Sequence, residues 1–214
     1  MRLEEAVVLD IDETIVDTST RRQAAWRIVL GLDIPLEELE IHGSTGIAKR
    51  YGGANYRSIY LKFWSILLCY EPEGFKLLEL DRPIPYAVEV VSLWSRRYKT
   101  IYLTGRTVNM KSATLNELRS MGFPVDPTLL YMAPDLDRYL EDPLSIRRIL
   151  LEEITENYDV KIIVDDNPAF FEVYRELGIP TRIGLLRPRF KVDDYRYASI
   201  IADSWYSLHN VAMV

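Results

Sequence analysis

Asp10 and Asp12 stand two positions apart at the end of an apolar run, Val7-Val8-Leu9, and Thr14 follows at the same spacing. In extended chain, positions i and i+2 share a face. The two carboxylates therefore project together if the strand reaches Asp12, and straddle the first bend if it does not. Two like charges that close are costly unless a cation or a proton lies between them, which points to a metal site, an acid/base pair, or both. A second acidic pair, Asp165-Asp166, ends the apolar run Ile162-Ile163-Val164, and Thr104-Gly105-Arg106 ends Ile101-Tyr102-Leu103. An isolated Asp-x-Asp is ordinarily a strand running into a polar loop. Three polar strand ends in one chain carry more, because in a parallel α/β sheet such ends share the edge where ligands bind.

The elements that must position these residues alternate. After the prolines of Asp81-Arg82-Pro83-Ile84-Pro85, the residues Ala87, Val90, Val91, Trp94 and Tyr98 form a helical stripe leading into the Thr104 strand. A helix over Thr107 to Met121 ends at Gly122, and Leu129 to Met132 is a third short strand. Asp142-Pro143 opens a helix to about Asn157; Lys161 to Asp165 is a fourth strand; Asn167-Pro168 caps a helix to Gly178; and Thr181 to Leu186 is a fifth strand. This alternation predicts a Rossmann-like parallel five-stranded sheet with helices on both faces. A terminal helix over Ala202 to Val211 would close it, and Arg187-Pro188-Arg189-Phe190-Lys191 reads as a solvated turn.

Asp10-x-Asp12-x-Thr14, Thr104 and Asp165-Asp166, each after an apolar strand and in this order, resemble the motifs of the haloacid dehalogenase superfamily of phosphohydrolases. The similarity runs from about Val7 to Leu186. A phosphate monoester resists attack because its oxygens repel nucleophiles, so a site needs a cation, a nucleophile and a proton donor. Asp10 suits the nucleophile. Asp12 suits the acid/base group, provided its setting raises its pKa. Thr104, the amide of Gly105, and Arg106 suit the phosphoryl oxygens.

The resemblance implies the same roles for the two aspartates. It also implies Mg²⁺ held by Asp10, the backbone carbonyl of Asp12 and the acidic pair, with Asp166 the expected direct ligand and Asp165 behind it; hard oxygen donors suit that ion. Where the family has a lysine, this chain offers Arg147, with Arg148 and Lys111 as alternatives. A crossover helix starts at the active edge, which places Arg147 near the site and Lys161 far from it. Asp12 argues against a dehalogenase. A phosphomutase or phosphotransferase of the same fold remains an alternative, and so does a non-catalytic binding module, since fold does not fix function.

Between the first strand and the Thr104 strand the sequence holds helical pieces only: Arg21 to Leu30, Pro35 to Ile41, and Asn55 to Tyr70 with Ile59, Phe63, Ile66 and Tyr70 at helical spacing. That is where the family carries a cap, so residues 18–82 are expected to form a helical cap and residues 1–17 and 83–214 the α/β core. Gly43, Gly46, Gly52 and Gly53 read as loop punctuation rather than a phosphate cradle. His42 reads as a structural or surface residue, and Cys69 as a small buried hydrophobe.

Composition agrees with a packed α/β protein. The 214 residues are 48% hydrophobic and 27% charged, which supports a core and argues against disorder. The net charge of −6 speaks against a nucleic-acid backbone as principal partner and leaves a small-molecule phosphate ester open. Cys69 is the only cysteine, so a disulfide within the chain and a multi-cysteine zinc site are excluded and a reduced, cytoplasmic setting is expected. No apolar run approaches the roughly 20 residues of a membrane span, and Glu4 and Glu5 near the start do not fit a signal peptide. The oligomeric state is left open.

Overall fold

Ala6, Val7, Val8 and Leu9 are all fully buried, because their strand lies at the centre of a parallel sheet covered on both faces. A computed structural model describes residues 3–212; the outermost residues assigned to the core by sequence, 1, 2, 213 and 214, lie outside them. In chain order the elements are β1 (Glu4–Leu9), β2 (Val16–Asp17), α1 (Ser19–Leu30), α2 (Leu36–Gly52), α3 (Tyr56–Leu67), α4 (Pro72–Leu77), β3 (Arg82–Pro83), α5 (Ala87–Trp94) and β4 (Lys99–Thr107). They continue with α6 (Lys111–Ser120), β5 (Leu130–Ala133), α7 (Leu136–Glu141), α8 (Pro143–Asn157), β6 (Tyr158–Asp165), α9 (Phe171–Glu176), β7 (Thr181–Leu185), β8 (Ile200–Ala202) and α10 (Trp205–Ala212). The chain divides into two compact units, Met1–Val16 with Pro83–Val214, and Asp17–Arg82. β2 and β3 pair where the chain passes between them.

The first unit contains a six-stranded sheet in the order β5-β4-β1-β6-β7-β8, with every pairing parallel. Five strands were expected. The sixth, β8, is three residues long and pairs Ile183↔Ile200 through Leu185↔Ala202; a run that short after a polar turn leaves no periodic trace. The chain moves outward from β1 through β4 to β5, then returns to the other side of β1 for β6, β7 and β8. The strand order therefore reverses at β1, and a crevice at such a point lies at the carboxyl ends of β1, β4 and β6.

Local signals account for the helices around that edge. Asp142 accepts from the Ser145 amide at 2.9 Å and Pro143 opens α8, so the cap and the first-turn proline set its start next to the edge. Asn167 accepts from the Ala169 amide at 3.1 Å. Ile154, Ile163, Phe171, Tyr174 and Tyr195 belong to one buried cluster. The short α7 was not expected; it starts at Asp135, whose carboxylate accepts from the Arg138 amide at 2.9 Å.

The second unit is helical. Trp26 stacks on Phe63 with centroids 4.1 Å apart, in a cluster with Ala25, Ile34, Leu39, Ile47 and Ile66. The stretch read as a glycine loop is instead mostly helix: α2 runs to Gly52 and is broken only at Gly43, with φ 61°, a value glycine adopts without the Cβ penalty. Ile47 and Ala48 beyond the break are fully buried, and that burial holds the second half helical where propensity alone would not. Inside this unit Arg21 lies 3.1 Å from Asp81 and 3.3 Å from the Leu67 carbonyl. Among the described residues no helix is long and apolar enough to cross a membrane.

Candidate active site

β1 stops at Leu9, so Asp10 and Asp12 fall in the bend after it. The bend is tight. The amides of Thr14, Ile15 and Val16 all donate to the Ile11 carbonyl at 3.2, 2.9 and 3.0 Å, and Glu13 takes φ 63°. A left-handed conformation is uncommon for a residue with a Cβ and persists where surrounding contacts dictate it. Here the Glu13 amide donates to Val16 O, its carboxylate accepts from Arg187, and Trp205 Nε1 donates to Thr14 O at 2.7 Å. Beyond the bend the two aspartates take different partners.

Asp10 is buried at the end of β1. Its Oδ1 accepts from Arg147 Nη2 at 2.8 Å and its Oδ2 from the Thr14 hydroxyl at 3.1 Å. Arg147, early in α8, also donates to the Leu103 carbonyl at 2.7 Å, lies 3.4 Å from Asp165 Oδ2, and stacks over Phe170 at 4.4 Å. Burial opposes its charge, but the oxygens of Tyr174, Asp165 and Asp10 outweigh burial and keep the guanidinium protonated. Asp165 accepts from the Tyr174 hydroxyl at 2.5 Å and the Asn167 amide at 2.7 Å. The Asp166 amide donates to Thr14 Oγ1 at 3.1 Å, and its Oδ2 accepts from Arg189 at 3.0 Å.

Asp10, Asp165 and Asp166 are all buried and offer oxygens within 4.8 Å of one another. Two guanidiniums, Arg147 and Arg189, face these three carboxylates, so with all three ionised the cluster is one positive charge short. Burial first, then Asp165, pushes the Asp10 pKa well above its ordinary value, against the pull of Arg147. Burial likewise pushes Asp166 up to about 7, with Asp165 and Glu13 adding to the rise and Arg189 and Arg187 opposing it. Hard oxygen ligands short of positive charge fit a divalent ion such as Mg²⁺.

A carboxyl whose folded pKa lies above its unfolded value contributes stability that is full below about pH 4 and lost as pH rises through about 7. The melting temperature of the metal-free protein should therefore carry a falling contribution between about pH 4 and about pH 7. Added Mg²⁺, competing with the proton, should raise it more at the higher pH. Equal Mg²⁺ increments at both pH values in a melting series would contradict this.

Asp12 turns the other way. Its carboxylate accepts from Arg106 Nε at 2.9 Å and Nη2 at 2.9 Å, while Arg106 Nη1 donates to Glu117 and, at 3.3 Å, to the Thr114 hydroxyl, and Nη2 also reaches Glu117 at 3.4 Å. An arginine has five N–H donors, and these contacts engage all five. Arg106, expected to bind phosphoryl oxygens, is buried here with its guanidinium on Asp12 and Glu117. The Thr104 hydroxyl sits at the edge and accepts from the Arg106 amide at 3.1 Å.

Of the other cations considered, Arg148 is half-exposed and paired with Glu176, Lys111 is exposed, and Lys161 pairs with Asp159 at 2.7 Å. The basic turn after β7 is not simply solvated: Arg187 and Arg189 reach Glu13 and Asp166. Glu117 and Tyr174 were not singled out by the sequence, and Arg187 and Arg189 were expected only as a solvated turn. Of these, only the doublet Arg187-x-Arg189 after a strand end carried any signal.

No protein-family model matches the chain, and no curated protein matches it either. Solved structures do. A haloacid dehalogenase-like family hydrolase from Streptococcus pneumoniae is 15% identical, with 98% of each chain covered and a TM-score of 0.65. A hydrolase of the same family from Deinococcus radiodurans, with bound phosphate and sodium, is 14% identical over 99% of this chain and 96% of that one, with a TM-score of 0.60. Protein tyrosine kinase A of Mycobacterium tuberculosis is 16% identical over 100% of both chains, with a TM-score of 0.66. At near-complete coverage and with the strand order reversing at the Asp10 strand, this chain has the fold of the haloacid dehalogenase-like hydrolases.

Proposed function

We propose that the protein is a Mg²⁺-dependent phosphatase that hydrolyses a small phosphate monoester through an aspartyl-phosphate at Asp10. The observation that carries this reading is the setting of Asp10: a buried carboxylate at the tip of the central strand, oriented by Arg147 and Thr14 within the Asp10, Asp165, Asp166 cluster. Mg²⁺, held by Asp10, Asp166 and the Asp12 carbonyl with Asp165 behind them, would neutralise charge on the phosphoryl oxygens.

Asp10 then attacks phosphorus, the bond to the leaving oxygen breaks, and Asp12 gives that oxygen a proton. In the second half Asp12 takes a proton from water, which attacks phosphorus and frees Asp10. Because Arg106 holds the Asp12 carboxylate, Asp12 must turn from the guanidinium toward the leaving oxygen. Thr104 and the Gly105 amide bind phosphoryl oxygens, and Arg147 balances charge on Asp10.

The helical unit, inserted in sequence directly after the Asp10 strand, is proposed as the cap that selects the ester. The relatives named as hydrolases support water as the acceptor. The relative named as a kinase keeps phosphotransfer as the second reading, since both share the attack at phosphorus.

The test is inorganic phosphate release across a panel of phosphorylated metabolites with Mg²⁺ and with EDTA. Turnover that EDTA abolishes and Mg²⁺ restores supports the proposal; no release from any ester contradicts it. Asp12→Asn gives a finer expectation. It should slow alkyl phosphates roughly 10²-fold, as loss of an acid/base group does. With p-nitrophenyl phosphate, whose leaving group needs no proton, it should give a stoichiometric burst of p-nitrophenol followed by slow turnover. Absence of the burst in rapid-mixing kinetics would show that Asp12 does not act on the second step alone for that ester.

A further inference from the structure

Gly105 and Arg106 fall in a break of the β4–β5 ladder, where Thr104 and Thr107 pair with the consecutive residues Met132 and Ala133. A bulge of this kind re-aims side chains and is frequent beside functional sites. The Arg106 side chain is fully buried between two acids of unequal exposure: Glu117, from α6, is 7% exposed at its side chain and Asp12 is 30% exposed. The Asp12 carboxylate accepts from Nε and Nη2, each at 2.9 Å. The Glu117 carboxylate accepts from Nη1 through Oε2 and from Nη2 through Oε1, the latter at 3.4 Å.

One guanidinium needs one carboxylate for neutrality, and here it holds two. A buried charge that loses its counter-ion is strongly destabilised. In the proposed reaction Asp12 leaves Arg106 twice, once to give a proton to the leaving oxygen and once to take one from water. With Asp12 as sole counter-ion, each departure would strand the positive charge in the interior, and the tight pair would keep Asp12 away from the reacting oxygens. With Glu117 on the inner side the guanidinium keeps a negative partner throughout, and Asp12, the outer and more exposed of the two acids, is the one able to turn.

We propose that Glu117 is a positioning residue for Asp12: by sharing Arg106 it retains the guanidinium while Asp12 turns to the leaving oxygen and to water. It acts through Arg106 and not on the ester itself. This rests on the phosphatase reading and adds to it a residue of α6, outside the strand-end motifs. Only the steps that use Asp12 depend on it, so its role separates from a purely structural one by the leaving group.

Glu117→Gln in the full chain removes the charge and keeps an oxygen that can accept from Arg106, so Asp12 should be held more tightly. For alkyl phosphates kcat/KM should fall about 10- to 100-fold, as for one hydrogen bond to a charged group. For p-nitrophenyl phosphate, whose leaving group needs no proton, kcat/KM and the first turnover in rapid mixing should stay at the parental rate, and only the later turnover should slow. Unchanged kinetics with both kinds of ester would overturn the proposal. So would an equal loss of kcat/KM for both, which would assign Glu117 to holding the fold. Should Glu117→Gln fail to fold, Glu117→Asp, with the charge on a shorter arm, should show the same dependence on leaving group with a smaller loss; an equal loss for both esters, or none, would overturn the proposal. If the unmodified protein releases no phosphate from any ester, the phosphatase reading fails and this proposal with it, an outcome distinct from parental turnover with a silent Glu117→Gln.

Discussion

Asp10→Asn is expected to abolish turnover of every ester while leaving a folded protein. An amide cannot serve as the carboxylate nucleophile, and among the described residues no other carboxylate stands at the tip of the central strand with a guanidinium and a hydroxyl aimed at its two oxygens. The stability effect should have the opposite sign to the activity effect. Asp10, Asp165 and Asp166 are three buried carboxylates in mutual reach, and burial and Asp165 both raise the cost of charging Asp10. Neutralising it relieves like-charge repulsion, so the metal-free variant should melt no lower than the parent, an arrangement in which function retains a group that stability disfavours. Thermal melts and phosphate release on the same preparations check both halves. Near-normal release by Asp10→Asn would end the covalent account.

Arg147→Ala is expected to be damaging on both counts. Removing one preorganised electrostatic group from such a site costs roughly 10²–10³-fold in kcat. The buried carboxylates of Asp10 and Asp165, 2.8 and 3.4 Å from its Nη2, would lose their shared counter-ion, and leaving a buried charge uncompensated costs about 3–5 kcal/mol. Mg²⁺ should recover part of that stability but not the rate. Arg147→Lys should retain only part of either: a single ammonium does not reproduce the planar fork that spans the Leu103 carbonyl and Asp10. A silent Arg147→Ala in steady-state kinetics and denaturant titration would remove this residue from the account.

Why some of this was readable from sequence and some was not comes down to distance along the chain. Asp10, Thr104 and Asp165-Asp166 each follow an apolar strand, and parallel strand ends share an edge, so local pattern brings them together. Arg147 was legible because Asp142-Pro143 marks the start of its helix and a crossover helix starts at that edge. The Asp12–Arg106 pairing spans 94 positions and lies at a bulge that no residue type announces, so the engagement of Arg106 with Asp12 and Glu117 was not legible. Arg189 enters from the turn after β7, a segment too short to show a period. The same reason hid β8. In the helical unit, burial of Ile47 and Ala48 overrode the glycine punctuation around them.

The proposed mechanism requires a phosphoryl group carried by Asp10. The most direct measurement is acid quench of the protein during turnover in Mg²⁺, followed by peptide mass analysis of the segment containing Asp10. A fraction of that peptide is expected to be heavier by one phosphoryl group, lost on hydroxylamine treatment as an acyl phosphate is, and absent in Asp10→Asn. Steady phosphate release with the Asp10 peptide unmodified at every quench time, and a phosphoryl group found on another residue or on none, would contradict it.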